Sequence, residues 1–495
     1  HKELSLLGDE ALKKAGGAAW DPISQWAVET FRKEKNIALE PFLESAMERH
    51  YSANPREGFF TGGGLHHFEN FDSQDDRRIP PLREAFRNST NLVFIRLMRD
   101  LVSYHRARLS YSSDAVLSDP KHPDRQRMLR EVAEEESKTG LRRAFQAYRG
   151  LTPDEIVTRV AGRKTASDRR LTILFFAWGV GADEKALAAW LEKNQAPTTE
   201  QTVTRLFRAY HNRRLTLADY GYLLAVHPLD LWCAGELRKN PSSSWDDLFA
   251  RSVEARRTGS AWLLNPHNKH AQDLRLRIHI EKEAFARMTP YWQRLGFPFK
   301  TMVPSYATAI GNSSDRPVAL AELMGILLNE GVRRRATSLK QFHFARGTPY
   351  ETLFEPTLDR GARVLAPEVT HVVKKALADV VEQGTARRLK GAFTLSDGTP
   401  IVVGGKTGSG DNRFETFNRQ GGVTSSRATN RTAALVFYIG ERYFGVVTAY
   451  VEGREAGDYR FTSALPVTLL KILAPTLIEK FDKSTKPTPP ASSQF

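Results

Sequence analysis

The sequence predicts an α+β fold: one antiparallel sheet flanked by helices, interrupted by a large helical insertion. Three observations predict it. Apolar, β-branched runs at 400–405, 433–439 and 443–450 crowd into the last fifth of the chain, the latter two joined by Gly440-Glu441-Arg442, a hairpin turn by composition. Residues 101–290 instead carry Leu, Ala, Arg and Glu at i, i+3, i+4 spacing. A last amphipathic stretch, 463–477, reads as a helix that closes the domain.

The insertion divides into helical patterns at 125–149, 153–162, 169–193, 200–212, 216–239 and 269–289. Pro120-Lys121-His122-Pro123, Ala196-Pro197-Thr198-Thr199 and Asn240-Pro241-Ser242 punctuate them. Thr152-Pro153-Asp154-Glu155 and Thr216-Leu217-Ala218-Asp219 have the residues of helix starts, with acids at the positive end of the helix dipole. About 190 residues are enough to bury a separate core. The expected organisation is therefore 1–100 and 291–478 as two parts of one domain, 101–290 as the insertion, and 479–495 as a Pro/Ser-rich disordered tail.

Composition limits the function classes. The chain has 72 Lys and Arg against 57 Asp and Glu, a net charge of +15, which draws it to polyanions. Zinc-ligand spacing and RNA-recognition aromatics are missing, and the basic residues are scattered, so no nucleic-acid module is expected. The single Cys233 cannot form an internal disulfide and reads as a core residue. The longest apolar stretch, 171–182, is interrupted by Trp178 and Gly179 and reads as a core helix rather than a membrane span. The aromatic and basic run 205–214 reads as a helix with a buried aromatic face and a charged outer face.

Chemistry concentrates at Lys406-Thr407-Gly408-Ser409, which follows the run 400–405. A strand edge bearing an ammonium and two hydroxyls suits an extended, peptide-like substrate ending in a carboxylate, with Gly404 and Gly405 expected to let it lie against the backbone. A second polar corner, Asn88-Ser89-Thr90-Asn91, lies between two amphipathic helical stretches. K-T-G and S-x-N are two of the three motifs of penicillin-recognising serine enzymes.

Their surroundings resemble the transpeptidase domain of class A penicillin-binding proteins. Asn70-Phe71-Asp72, Leu82-Arg83-Glu84-Ala85, Ser89-Thr90-Asn91 and Ile95-Arg96-Leu97 follow the family's order before the insertion. After it come Leu295-Gly296, Pro304-Ser305-Tyr306-Ala307, Pro317-Val318-Ala319-Leu320-Ala321-Glu322-Leu323, Asn329-Glu330-Gly331 and Gly384-Thr385-Ala386, the last about twenty residues before K-T-G. The similarity covers roughly 50–100 and 290–455, and it implies the penicillin-binding/β-lactamase-like fold.

The third motif, S-x-x-K, is missing where it should come first. Every Ser before Ser89 lacks Lys three places on, and the only literal match, Ser118-Asp119-Pro120-Lys121, comes after S-x-N with a helix-disrupting Pro. Lys138-Thr139-Gly140 repeats K-T-G without a strand before it and reads as a solvated helix end capped by Gly. With His1 in place of Met and no signal peptide, the expectation is a C-terminal piece of a longer protein, its nucleophile upstream. The alternative is a pseudoenzyme acting as scaffold or sensor.

The resemblance implies the following chemistry. The upstream Ser attacks D-Ala-D-Ala of a peptidoglycan stem peptide, or a β-lactam, and a second stem peptide resolves the acyl-enzyme. Ser89 relays a proton, the Asn91 amide holds the acyl backbone, Lys406 polarises Ser89 and attracts the carboxylate, and the Thr407 and Ser409 hydroxyls bind it. The Ser409 N–H, on the strand after Gly408, forms half of the oxyanion hole. No metal or cofactor is required. A glycosyltransferase domain and a membrane anchor are expected upstream, on the periplasmic face of the bacterial inner membrane, with wall-synthesis proteins as partners of 101–290. A β-lactamase fits the passages less well.

Two rivals are weaker. Gly404-Gly405-Lys406-Thr407 mimics the end of a P-loop, but Pro400 stands where that loop needs Gly and no helix is expected after Thr407. His66-His67 after Thr61-Gly62-Gly63-Gly64 offer an acid-base pair, but adjacent His lack metal spacing and the preferred reading is a glycine-rich loop beside the cleft.

Overall fold

A computed structural model describes residues 1–8, 10, 21–162, 167–211, 213–355, 357, 359–417 and 423–485. The chain divides into two compact units, His1–Leu109 with Glu281–Phe495, and Ser110–Ile280.

The first unit is α+β. Its main sheet has three antiparallel strands, Val403–Phe417, Val423–Ile439 and Tyr443–Glu452, in that order. Alternation along the middle strand gives it two buried faces. Leu435, Phe437 and Ile439 pack with Val403 against Val467, Leu470 and Ala474 of the C-terminal helix Ala464–Thr485. Val436 and Tyr438 point the other way, toward Met324 and Leu327 of Pro317–Leu328 and Leu377 of Pro367–Glu382. Helices thus cover both faces, as the sequence predicts.

The strands differ from expectation at their ends. The K-T-G strand begins at Val403, because Pro400 has no N–H to give the ladder and makes only an isolated bridge to Thr394. From there it runs far past K-T-G, pairing with the second strand out to Phe417↔Val423 through two register shifts. These mostly polar outer residues extend the ladder beyond the core, so apolar patterning does not reveal them. The C-terminal helix reaches Thr485, so 479–485 of the expected tail are helical; 486–495 lie outside the described residues.

The S-x-N helix, Asn91–Arg106, passes the boundary expected at 100. Its Met98 and Val102 pack with Ala284, Phe285 and Met288 from the far half of the Lys269–Arg294 helix, which holds 101–109 and 281–290 in the first unit. Arg96 fixes the same helix to the segment before it. Its guanidinium donates to the Ser52 and Asn54 carbonyls at 2.6 and 2.8 Å and pairs with Glu57 at 2.8 Å.

The second unit is helical among its described residues and has its own core, in which Leu171, Leu174, Phe175, Leu187 and Leu231 are buried. The pattern 169–193 resolves into Asp168–Ala177 and Glu184–Lys193, and 216–239 into Leu217–Leu224 and Pro228–Lys239. Ala225 in the left-handed region (φ 52°) and Pro228 separate the last two. Thr152 and Thr216 form capping boxes with Glu155 and Asp219. In the 205–214 run Leu206, Phe207 and Tyr210 are buried while Arg205 and Arg208 face out; Asn212 lies outside the described residues. Among the described residues, no helix is long and apolar enough to cross a membrane.

Candidate active site

Helix Leu82–Asn88 ends at Ser89, whose backbone is left-handed (φ 61°, ψ 43°), and Thr90 begins the next helix. A non-glycine residue there costs energy. The surrounding bonds enforce it: the Thr90 N–H donates to Ala85 O at 3.0 Å, and the buried Thr90 hydroxyl donates to Asp75 at 2.8 Å. Asn70 clamps the start of the second helix, accepting from the Leu92 N–H at 3.0 Å while donating to Ala53 O at 2.8 Å and Asp76 at 2.9 Å. The Asn70-Phe71-Asp72 and S-x-N segments are therefore one hydrogen-bonded corner.

Lys406 comes to this corner from the outermost strand of the described sheet, whose unpaired edge is free to meet an extended chain. Its ammonium donates to the Ser89 hydroxyl and to Thr407 O at 3.1 Å, and lies 5.6 Å from the centre of the Phe86 ring. The residue keeps some exposed surface, but its ammonium is enclosed, and desolvation lowers its pKa to about 8.

The glycines have different roles from those expected. A Cβ at Gly404 would lie 2.3 Å from the Tyr438 ring, and one at Gly405 2.6 Å from Val436 O. Both therefore serve close packing against the neighbouring strand instead of leaving room for a ligand. Gly408 alone of the three faces open space. The buried Thr407 hydroxyl bonds the Thr385 hydroxyl at 2.6 Å, and Ser409 Oγ accepts from the Ser463 N–H at 2.7 Å, leaving its own proton free to donate. Asn91 is half-buried, and its amide donates to Glu69 O at 3.2 Å.

Lys406 thus meets Ser89, while Thr407 offers its carbonyl to the same ammonium and its hydroxyl to Thr385; Ser409 lies further along the strand, and the Asn91 amide is held by Glu69. Sequence reasoning missed Asp75 and the Thr385–Thr407 bond. In the sequence Gly384-Thr385-Ala386 stands out only as a family element about twenty residues before K-T-G. A cavity of about 510 Å³ flanks the corner, lined by Asp72, Asn88, Gln383, Thr385 and Arg387 among others.

Ser118 ends a short helix and donates weakly to Ala115 O at 3.4 Å. Lys138-Thr139-Gly140 lies inside the continuous helix Pro123–Tyr148, not at a capped end; packing against the helix that carries Leu229, 3.6 Å from a Cβ at Gly140, outweighs the glycine's low propensity. His66 and His67 lie on a β-hairpin, Gly58–Thr61 with Gly64–His67, rather than in a loop; Gly62 and Gly63 make its turn with φ of 60° and 89°. No group of potential metal ligands occurs among the described residues. Cys233 is buried, and desolvation raises its thiol to about 12.

No family model matches the chain, and no curated protein matches it. Among solved structures it is similar to penicillin-binding protein 3 of Mycobacterium tuberculosis complexed with ampicillin, at 14% identity over 50% of this chain and 54% of that one, TM-score 0.26. It is also similar to the D,D-transpeptidase domain of a peptidoglycan glycosyltransferase from Eggerthella lenta, at 15% identity over 40% and 50%, TM-score 0.25. A third is the apo transpeptidase domain of Burkholderia pseudomallei penicillin-binding protein 3, at 15% identity over 43% and 62%, TM-score 0.26. The match spans about half the length of the first of these structures.

Proposed function

We propose that this chain carries two walls of a D,D-transpeptidase site of the penicillin-recognising type, and that the serine nucleophile of S-x-x-K lies upstream of His1. The observation that carries the reading is the contact between Lys406 and Ser89, which joins the K-T-G and S-x-N motifs. In this reading the ammonium polarises Ser89, which passes a proton to the leaving nitrogen of D-Ala-D-Ala. The Ser409 hydroxyl binds the terminal carboxylate, and the open face at Gly408 leaves the strand edge free to pair with the stem peptide. Thr407 holds its place through Thr385. Asn91 reaches the acyl backbone once its amide leaves Glu69 O.

The longer protein is proposed to be a class A enzyme with a glycosyltransferase domain and a membrane anchor, working at the periplasmic face of the inner membrane. The 101–290 insertion is proposed to meet wall-synthesis partners. A non-catalytic domain is the second reading, favoured by the one fact that no Ser before Ser89 has Lys three places on.

Two experiments test this. The residues encoded before His1 should include Gly-Ser-x-x-Lys within about seventy positions, since family spacing is the basis of the reading; an upstream sequence without it would favour the scaffold. The chain His1–Phe495 itself should not be labelled by a fluorescent penicillin, and covalent labelling at Ser118 or Ser89 would overturn the role assignment.

A further inference from the structure

The short hairpin of Phe342–Phe344 and Thr352–Phe354 carries an exposed apolar load that the site does not use. Phe342, Phe344 and Phe354 are 50%, 57% and 53% exposed, Leu353 53%, and Tyr350 in the turn 78%. Single exposed apolar residues are ordinary, but five in one two-stranded ribbon are not. The register pairs Phe342 with Phe354, His343 with Leu353 and Phe344 with Thr352. Paired residues share a face, so the three Phe form one face and Leu353 lies on the other. The Phe342 and Phe344 rings lie 6.3 Å apart and are nearly parallel.

Charge is distributed unevenly along this segment. Within the ribbon Glu351 pairs with His343 at 2.5 Å, and Glu355 accepts from Gln341 at 3.1 Å. Lys340 and Arg346 balance these acids, so the ribbon itself is close to neutral. Where the segment leaves the ribbon, Arg334, Arg335 and Arg360 are exposed against the single Asp359, whose carboxylate is occupied by the Arg335 and Gly361 N–H groups. A neutral aromatic tip above a cationic base is the arrangement that suits an anionic lipid surface: rings enter the interfacial layer and guanidinium groups meet head groups.

We propose that this hairpin is a membrane-surface anchor that inserts into a bilayer containing anionic lipid. A protein partner docked on one face would leave Leu353 or the three Phe uncovered, whereas insertion buries both faces and the Tyr350 turn together. The proposal does not depend on the transpeptidase reading.

The test uses the chain with vesicles of phosphatidylcholine alone or mixed with phosphatidylglycerol. Phe344→Cys, labelled with an environment-sensitive fluorophore, reports insertion; the native Cys233 is fully buried and should not compete for label. Mixed vesicles should shift the emission to the blue. Phe342→Ser with Phe354→Ser should weaken sedimentation with them about tenfold or more, given the transfer energy of a Phe ring. Both are exposed, so folding should be unaffected. Arg334→Glu with Arg335→Glu should remove the preference for phosphatidylglycerol. Three outcomes would overturn the proposal: no binding to either vesicle, binding that ignores the Phe substitutions and so reflects only the net charge of +15, or a blue shift that needs no vesicles and rises with protein concentration, which would make the hairpin a self-association surface.

Discussion

The Lys406 ammonium donates to the hydroxyl of Ser89, a residue 317 positions earlier. This bond ties the sheet edge to the helix corner, and a single side chain can remove it. In the proposed longer protein, Lys406→Ala should slow β-lactam acylation by about 10²–10³, the usual cost of deleting one catalytic electrostatic donor. Lys138→Ala, in the K-T-G repeat within the Pro123–Tyr148 helix, should leave the rate at wild type. Equal acylation rates for wild type and Lys406→Ala would remove the strand from the mechanism.

The enclosed ammonium gives a pH signature. With a pKa near 8, Lys406 loses its charge as pH rises through that value, so acylation should decline above about pH 8. Lys406→Arg should lack that alkaline limb, whatever its absolute rate, because guanidinium stays protonated. The stability effect has the opposite sign. The native state releases this proton at about 8 and the unfolded chain at 10.5, so between them the unfolded state binds more protons and this group's contribution to stability rises with pH. Rate and urea-unfolding profiles on the same samples separate the two.

Ser89 places a functional group where the backbone favours glycine. Ser89→Gly should relieve the left-handed conformation, a gain of up to about 1 kcal/mol that offsets the loss of the Lys406 hydrogen bond and leaves it more stable than Ser89→Ala, while acylation falls through loss of the hydroxyl. Ser89→Ala should impair acylation equally without the gain. A thermal shift and an acylation rate for each variant decide the matter, and a Ser89→Gly protein of wild-type rate would exclude the relay.

Away from the site, buried Glu281 accepts from the Thr61 hydroxyl and from the Gly62 N–H at 3.0 Å, and the Thr61 hydroxyl accepts from the Tyr306 N–H at 2.9 Å. Desolvation raises Glu281 to about 7 despite these bonds. From the unperturbed value of 4.5 up to about 7 the native state holds a proton that the unfolded chain has lost. The stability this group contributes is therefore complete below 4.5 and lost as pH rises through 7. Glu281→Gln should flatten that part of the profile in urea unfolding; an unchanged slope would mean that Glu281 is ionised throughout.

Much of this architecture could be read from residue order, because its signals are local. Helix-start residues such as Thr152 and Thr216 act within four positions, and apolar periodicity marked the helical insertion and the strands around Leu435 and Val446. K-T-G and S-x-N were visible as motifs for the same reason. What depends on a distant partner was not legible. Nothing near Gly404 or Gly405 indicates that Tyr438 and Val436 fill the space beside them, and nothing near Thr385 indicates its bond to Thr407. Gly140 continues a helix because a neighbouring helix packs there, although its own propensity favours an end. The residue types that can do the chemistry are thus a property of the sequence. Which of them meet was decided only by the tertiary structure, because the left-handed turn at Ser89 and the sheet edge at Lys406 come together through helices and strands contributed by opposite ends of the chain.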